Sequence, residues 1–197
     1  MRIAVLAIVA ALSVFGCGES NSTVSPSGAP GTLRLLIKDT PYSEAAAMLV
    51  TFSEVTAHRS GEGGFSPLPF AADAGGVVPT TRTCDLKQLV NTDDVLGVGT
   101  VPAGHYTQVR LVVSSAVLYS TATPAGTKCA TTIPPPGPVI ATLEIPNTEA
   151  RLVRSFDIAA APAVTTMLID FDGDRSVVAM GNGSVRMTPV IGVVSVQ

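Results

Sequence analysis

"VPAGHYTQVRLVVSSAVLY", residues 101–119, is the stretch on which the fold turns. Val109, Leu111, Val113, Val117 and Tyr119 share one parity, interrupted only by Ser115, while Gln108, Arg110 and Ser114 take the other. Successive side chains of a strand point to opposite faces, so this pattern predicts one long strand with an apolar face. Its entry is readable too. Pro102 holds φ at about −65°, and Gly104 permits the positive φ of a tight turn. Tyr106 then enters the strand, where its ring can bury and its hydroxyl can bond neighbouring backbone.

Working outward, Leu33, Leu35 and Ile37 alternate with Arg34 and Lys38. Met48, Val50 and Phe52 alternate likewise, but the apolar parity then moves to Val55 and Ala57, which predicts a β-bulge at Ser53–Glu54. Residues 44–47 suit a short helical turn, and Pro67 and Pro69 mark residues 65–70 as an edge strand. Further strands are expected at 139–145, 151–158, 165–171 and 185–196. The last is apolar on both parities over its second half, as in a central strand covered on both sides. Gly181-Asn182-Gly183 signals a hairpin turn, and residues 134–138, Pro-Pro-Pro-Gly-Pro, read as a rigid spacer. With 46% hydrophobic but only 14% charged residues, and with Gly 18 and Pro 15 supplying turns, the chain is expected to be all-β. The predicted form is an antiparallel two-sheet β-sandwich, immunoglobulin-like or transthyretin-like, with little helix beyond the N-terminal segment.

That segment has its own pattern. Met1-Arg2 precedes an uncharged apolar run over residues 3–15. As a helix the run would rise about 20 Å, short of the roughly 30 Å bilayer core, so it reads as an export signal rather than a span. Val14-Phe15-Gly16-Cys17 resembles a bacterial lipobox, in which the thiol takes a diacylglyceryl group bearing acyl chains such as palmitate. The expected organisation is therefore a lipoprotein signal peptide at 1–16, lipidated Cys17 with a flexible tether over 17–31, and a single domain over 32–197. The tether lacks periodic apolar residues and would reach on the order of 20 Å. Of three cysteines, Cys84 and Cys129 remain; in an exported chain they are expected to form a disulfide. A net charge of −3 without a Lys/Arg cluster argues against nucleic acid as a partner.

Three segments carry a resemblance: "GTLRLLIKDTP" at 31–41 with "VTFSEVTAHRS" at 50–60; "VPAGHYTQVRL" at 101–111; and "IDFD" at 169–172, followed by "DRSV" at 174–177, "GNG" at 181–183 and "MTPV" at 187–190. Together they resemble a bacterial and archaeal family known as domain of unknown function 4382, over roughly residues 31 to 195. The resemblance implies exported, often lipid-anchored proteins with a β-sandwich-like domain and no assigned activity. The Cys84/Cys129 pair and the Pro-rich insertion depart from the family's pattern.

Little in the chain offers chemistry. Asp170, Asp172 and Asp174 form the one acidic cluster, and hard cations take several carboxylate oxygens. An EF-hand loop, however, needs glycine where Arg175 stands and an acid where Gly181 stands. Solvated acids at a strand end explain the cluster more simply. Asp39-Thr40-Pro41 reads as an Asx-type turn, with Asp39 a further weak candidate for a metal ligand. His58 and His105 lack partners at metal-ligand spacing and read as surface residues. No Gly-x-Ser-x-Gly elbow occurs, and Cys84 has no evident base. The expectation is a non-enzymatic protein, without cofactor, anchored at the bacterial cell envelope and most simply at the outer membrane. It would bind a protein or carbohydrate ligand or serve a structural role. A calcium-dependent adhesion or assembly protein using Asp39, Asp170, Asp172 and Asp174 is the alternative, and an envelope hydrolase the remaining one.

Overall fold

The computed structural model describes residues 29–40 and 42–197. The expected signal peptide at 1–16, Cys17, the tether as far as residue 28, and Pro41 lie outside the described residues. In chain order the strands are β1 (Pro30–Thr40), β2 (Ala47–Arg59), β3 (Phe65–Pro67), β4 (Arg82–Asp85), β5 (Asp94–Pro102), β6 (Gly104–Tyr119) and β7 (Cys129–Ala130). β8 (Val139–Thr142), β9 (Glu149–Ile158) and β10 (Val164–Asp172) follow, then a single helical turn, α1 (Gly173–Ser176), β11 (Val177–Ala179), β12 (Val185–Met187) and β13 (Ile191–Val196). Residues 44–47 form no helix, a turn at 43–44 leading into β2 at Ala47, and β1 starts ahead of the expected boundary at Thr32.

The strands form a four-stranded sheet in the order β13-β10-β1-β5, a seven-stranded sheet built on β7-β4-β2-β6-β8 with β3 on β2 and β9 on β6, and the small hairpin β11-β12. The chain is thus mostly β, with several sheets. The inner faces of the two large sheets share one core. Leu33, Leu35, Ile37, Met167, Ile169 and Phe171 come from the smaller sheet, and Met48, Val50, Phe52, Val55, Leu111 and Val113 from the larger. Phe52 meets Phe171 edge-on at 6.0 Å between ring centroids. Each such side chain contributes about 1.5–3 kcal/mol on burial.

One pairing overturns the expectation of an entirely antiparallel fold: β1 and β10 run parallel from Thr32↔Val164 to Thr40↔Asp172. Alternation places side chains identically in parallel and antiparallel strands, so the pattern of either strand carried no direction. The expected strand at 185–196 is also two strands, β12 and β13, parted at Pro189, which has no N–H to donate. β13 is an outermost strand rather than a covered one, and Val194 stays half exposed.

The bulge predicted at Ser53 is present, and β6 carries a compensating one. Thr51 pairs with Ser115 and Phe52 with Val113, which skips Ser114; Glu54 then pairs with Val112, which skips Ser53, and the register is restored. Ser114 Oγ donates to the Thr51 carbonyl at 3.1 Å. The apolar parity of β6 therefore changes as well. Val109, Leu111 and Val113 face the core, but beyond Ser114 it is Ala116 and Leu118 that do. Val117 and Tyr119, expected on that face, instead join Ala47, Leu49 and Ile133 in a second cluster on the other side. At the strand entry Gly104 has φ +140°, and buried Tyr106 donates its hydroxyl to the Pro102 carbonyl at 2.7 Å.

β5 escaped the sequence pattern because Gly97 and Gly99 occupy its inward positions opposite Leu35 and Leu33. The missing side chains admit residues 68–70. A Cβ on Gly97 would lie 2.9 Å from the Pro69 carbonyl oxygen, and one on Gly99 2.6 Å from Pro69 Cδ. Gly99→Ala is expected to destabilise the fold by about 1–3 kcal/mol through overpacking, measured by urea unfolding. An unchanged midpoint would show that Pro69 yields freely.

Candidate functional site

β1 and β6 fix which groups gather at which end. The chain enters at Ala29, whose carbonyl accepts from Ala103 N at 2.8 Å, beside the Pro30–Pro102 pair. An 11-residue β1 then runs about 35 Å away. At the far end lie Asp39, Asp172 with α1, and the loops that follow Tyr119, where Ala46 N donates to the Tyr119 carbonyl and Ser120 N to that of Pro138.

Asp39 is not an Asx-turn residue. β1 continues through it, and its parity follows Leu33, Leu35 and Ile37 onto the inner face, where it is only 2% exposed. Its Oδ1 accepts from Gly173 N at 3.1 Å, while Oδ2 has no partner among the described residues. Burial pushes its carboxyl up to about 8, and Asp170 and Asp172 add to the rise; the Gly173 bond and Lys87 oppose it. A proton on Oδ2 relieves the cost of a buried charge.

Asp170 and Asp172 face the other way, opposite Lys38 and Thr40 of β1. Thr40 Oγ1 donates to Asp170 Oδ2 at 2.9 Å, and Asp172 Oδ1 caps α1 by accepting from Arg175 N at 2.9 Å. Asp174 is exposed on α1. Of the four acids considered as calcium ligands, Asp39 therefore lies on one face of the sheet, Asp170 and Asp172 on the other, and Asp174 beyond it on α1. Among the described residues no group of three or more His, Cys, Asp or Glu side chains is arranged to hold a metal ion. His105 pairs with Asp157 at 2.9 Å on an exposed face. His58 is half-buried rather than a plain surface residue. Its ring bonds Thr107 Oγ1 at 3.1 Å and the Glu62 carbonyl at 3.0 Å, and it tilts against Phe65. Beside it Arg110 lies 4.6 Å from the centre of the Phe65 ring and pairs with Glu54 and Glu149.

Cys84 and Cys129 form a disulfide between directly opposed positions of β4 and β7. It fastens the middle of the long connection over residues 120–138, where β7 lies, to β4. Asp85, fully buried and not singled out in the sequence, holds that loop from inside. Its Oδ2 accepts from Thr123 Oγ1 at 2.6 Å, and its Oδ1 from Met48 N and Lys87 N at 3.1 Å each. Asp before an apolar turn is an N-cap pattern, the one signal by which the sequence could have revealed it. Around the loop Ala122, Thr123, Pro124, Ile133, Pro134 and Pro136 line a cavity of about 460 Å³, a size and an apolar lining suited to a small ligand or an inserted side chain. The Pro-rich segment is thus the wall of a cavity rather than merely a spacer.

Comparison with known proteins finds one family. A family model described as "Domain of unknown function (DUF4382)" matches residues 30–189. No curated protein and no solved structure matches. Among the described residues no helix is long and apolar enough to cross a membrane.

Two outcomes are expected here. Replacing both cysteines by serine releases a closed loop 45 residues long and should lower stability by about 3–4 kcal/mol on the chain-entropy account, read from chemical unfolding; an equal midpoint would refute it. The second concerns Asp39. The folded state retains a proton that the unfolded chain releases near pH 4, so stability is full below about pH 4 and falls as pH rises towards about 8. Asp39→Asn keeps the acceptor for Gly173. Its melting temperature relative to the parent should therefore rise steadily from pH 4 to 8, and a constant difference would rule this out.

Proposed function

We start from the fact that the chain belongs to the DUF4382 family, and we propose that it is a non-enzymatic, lipid-anchored protein of the bacterial cell envelope. Its domain is a β-sandwich of immunoglobulin-like or transthyretin-like type that binds a protein or carbohydrate ligand. The observation that carries this reading is Gly16-Cys17 at the end of the uncharged run over residues 3–15, followed by a stretch of small polar residues. Acyl chains contribute about 0.8 kcal/mol per buried methylene, and two or more hold a protein stably on a bilayer. The Cys84–Cys129 disulfide suits an oxidising compartment outside the cytoplasm. The sandwich assignment draws support from two sheets that share one core.

With the anchor entering beside Pro30, the loops after Tyr119 and Thr40 form the membrane-distal end and the ligand-binding face, as loops at the ends of rigid sheets commonly do. In this reading the anchor sits in the outer membrane. Only three tyrosines and no tryptophan leave few stacking surfaces for sugars, which favours a protein ligand.

Mass spectrometry of the native protein should find Cys17 as an acylated N-terminus, and Cys17→Ser should move the protein from the membrane fraction to the soluble one. A free thiol at Cys17, or residues 1–16 still attached, would overturn the proposal.

A further inference from the structure

The outer face of the four-stranded sheet carries a cleft of about 540 Å³ whose lining includes Arg34, Arg82, Asp94, Val95, Val98 and Val164. Strand parity explains the lining. Thr32 and Arg34 alternate with the core-facing Leu33 and Leu35, and their cross-strand neighbours Val98 and Val164 point out with them. Val98 is 38% exposed and Val164 52%. The apolar floor therefore has no cover among the described residues.

The charged wall is unusual. Arg82 is only 6% exposed, yet its charge is thinly compensated. Nη1 donates to the Ala71 carbonyl at 3.1 Å and Nη2 to that of Cys129 at 3.4 Å, while Nε has no partner among the described residues. Its one carboxylate neighbour, Asp94 Oδ2, stands 3.9 Å from Nη2. Both oxygens of that carboxylate already accept backbone N–H groups, from Val95 at 2.8 Å and Cys129 at 3.0 Å. Arg34 is exposed at the rim and enters none of the ion pairs among the described residues. Two guanidinium groups against one occupied carboxylate leave the cleft with one surplus positive charge. A buried guanidinium with so little compensation is costly, and burial correspondingly lowers the Arg82 pKa against the pull of Asp94.

We propose that this cleft binds a small aliphatic monocarboxylate, its carboxylate at Arg34 and Arg82 and its hydrocarbon body on Val95, Val98 and Val164. A single negative charge balances the surplus, whereas a phosphate dianion exceeds it and sets its second charge against Asp94. Guanidinium groups suit planar carboxylates through charge-assisted hydrogen bonds. A few branched carbons cover the valines, and a cleft of this size and mixed lining is typical of small-ligand sites. The site is a different face from the distal loops, and acylation of Cys17 has no bearing on it.

The test is titration of the purified full chain, disulfide intact and uniformly ¹⁵N-labelled, with 3-methylbutanoate. Binding is expected at a Kd of about 1 mM, with shifts concentrated at the amides of Thr32, Arg34, Val98 and Val164. Acetate, which lacks the body, should bind about tenfold more weakly. Arg34→Gln should weaken 3-methylbutanoate about tenfold and, because Arg34 is exposed, leave the melting temperature unchanged. The proposal is overturned by an absence of shifts at those amides at roughly tenfold excess over that Kd, by equal binding of 3-methylbutylamine, or by equal affinity of the Arg34→Gln chain. Tighter binding of inorganic phosphate than of 3-methylbutanoate would equally overturn the carboxylate assignment.

Discussion

The antiparallel pairing of β2 with β6 is the constraint on which the molecule depends, because the larger sheet grows outward from both of its edges. β4 and β3 add to β2, while β8 and β9 add to β6. A register slip of one residue in such a pair would turn every inward side chain outward. Both strands contain one residue too many, Ser53 and Ser114, and the two extras offset each other within a few positions. Met48, Val50, Phe52, Val55 and Ala57 thereby stay on one side, facing Phe171 and its neighbours. Serine suits these positions, since it packs nothing and its hydroxyl can bond the backbone that the bulge frees, as Ser114 does with Thr51.

The smaller sheet depends on a pairing of another kind. β1 lies beside β10, and Thr40 bonds Asp170 across 130 residues of sequence. Only when the intervening chain has folded does this contact offset its loop-closure cost. The junction also confines Asp39, whose inner-face position beside Gly173 follows from β1 continuing past Ile37, the last apolar residue of its inward pattern.

What the amino-acid pattern revealed depended on whether side chains alone determine the feature. The inner faces of β1 and β10 were legible because Leu33, Leu35, Ile37, Met167 and Ile169 alternate without a break. Gly104 and Tyr106 were legible because a positive φ and a buried hydroxyl each demand a particular residue. The bulge in β2 showed itself as a change of parity. Its counterpart in β6 was masked, since Val117 and Tyr119 are apolar and find a second cluster of their own. β5 was invisible for the opposite reason: Gly97 and Gly99 erase the inward half of its alternation. The acids at the distal end were found as a group but not as an arrangement, because Asp39 and Asp170 belong to opposite faces. Asp85 and Arg82 matter through burial, and a short polar-flanked strand such as β4 gives no sign of being fully covered.

The insertion of residues 68–70 beside β5 bears on how these chains coexist at high local concentration. β5 is the last strand of its sheet, and such a strand exposes a row of amides and carbonyls to which another chain can add by β-augmentation. Here Val98 N already donates to the Pro69 carbonyl and Ala71 N to the Leu96 carbonyl, both at 3.0 Å. Proline at position 69 offers no amide to continue the ladder. Gly97 and Gly99 therefore make room for a built-in cap, which protects this edge of the sheet against templated self-association.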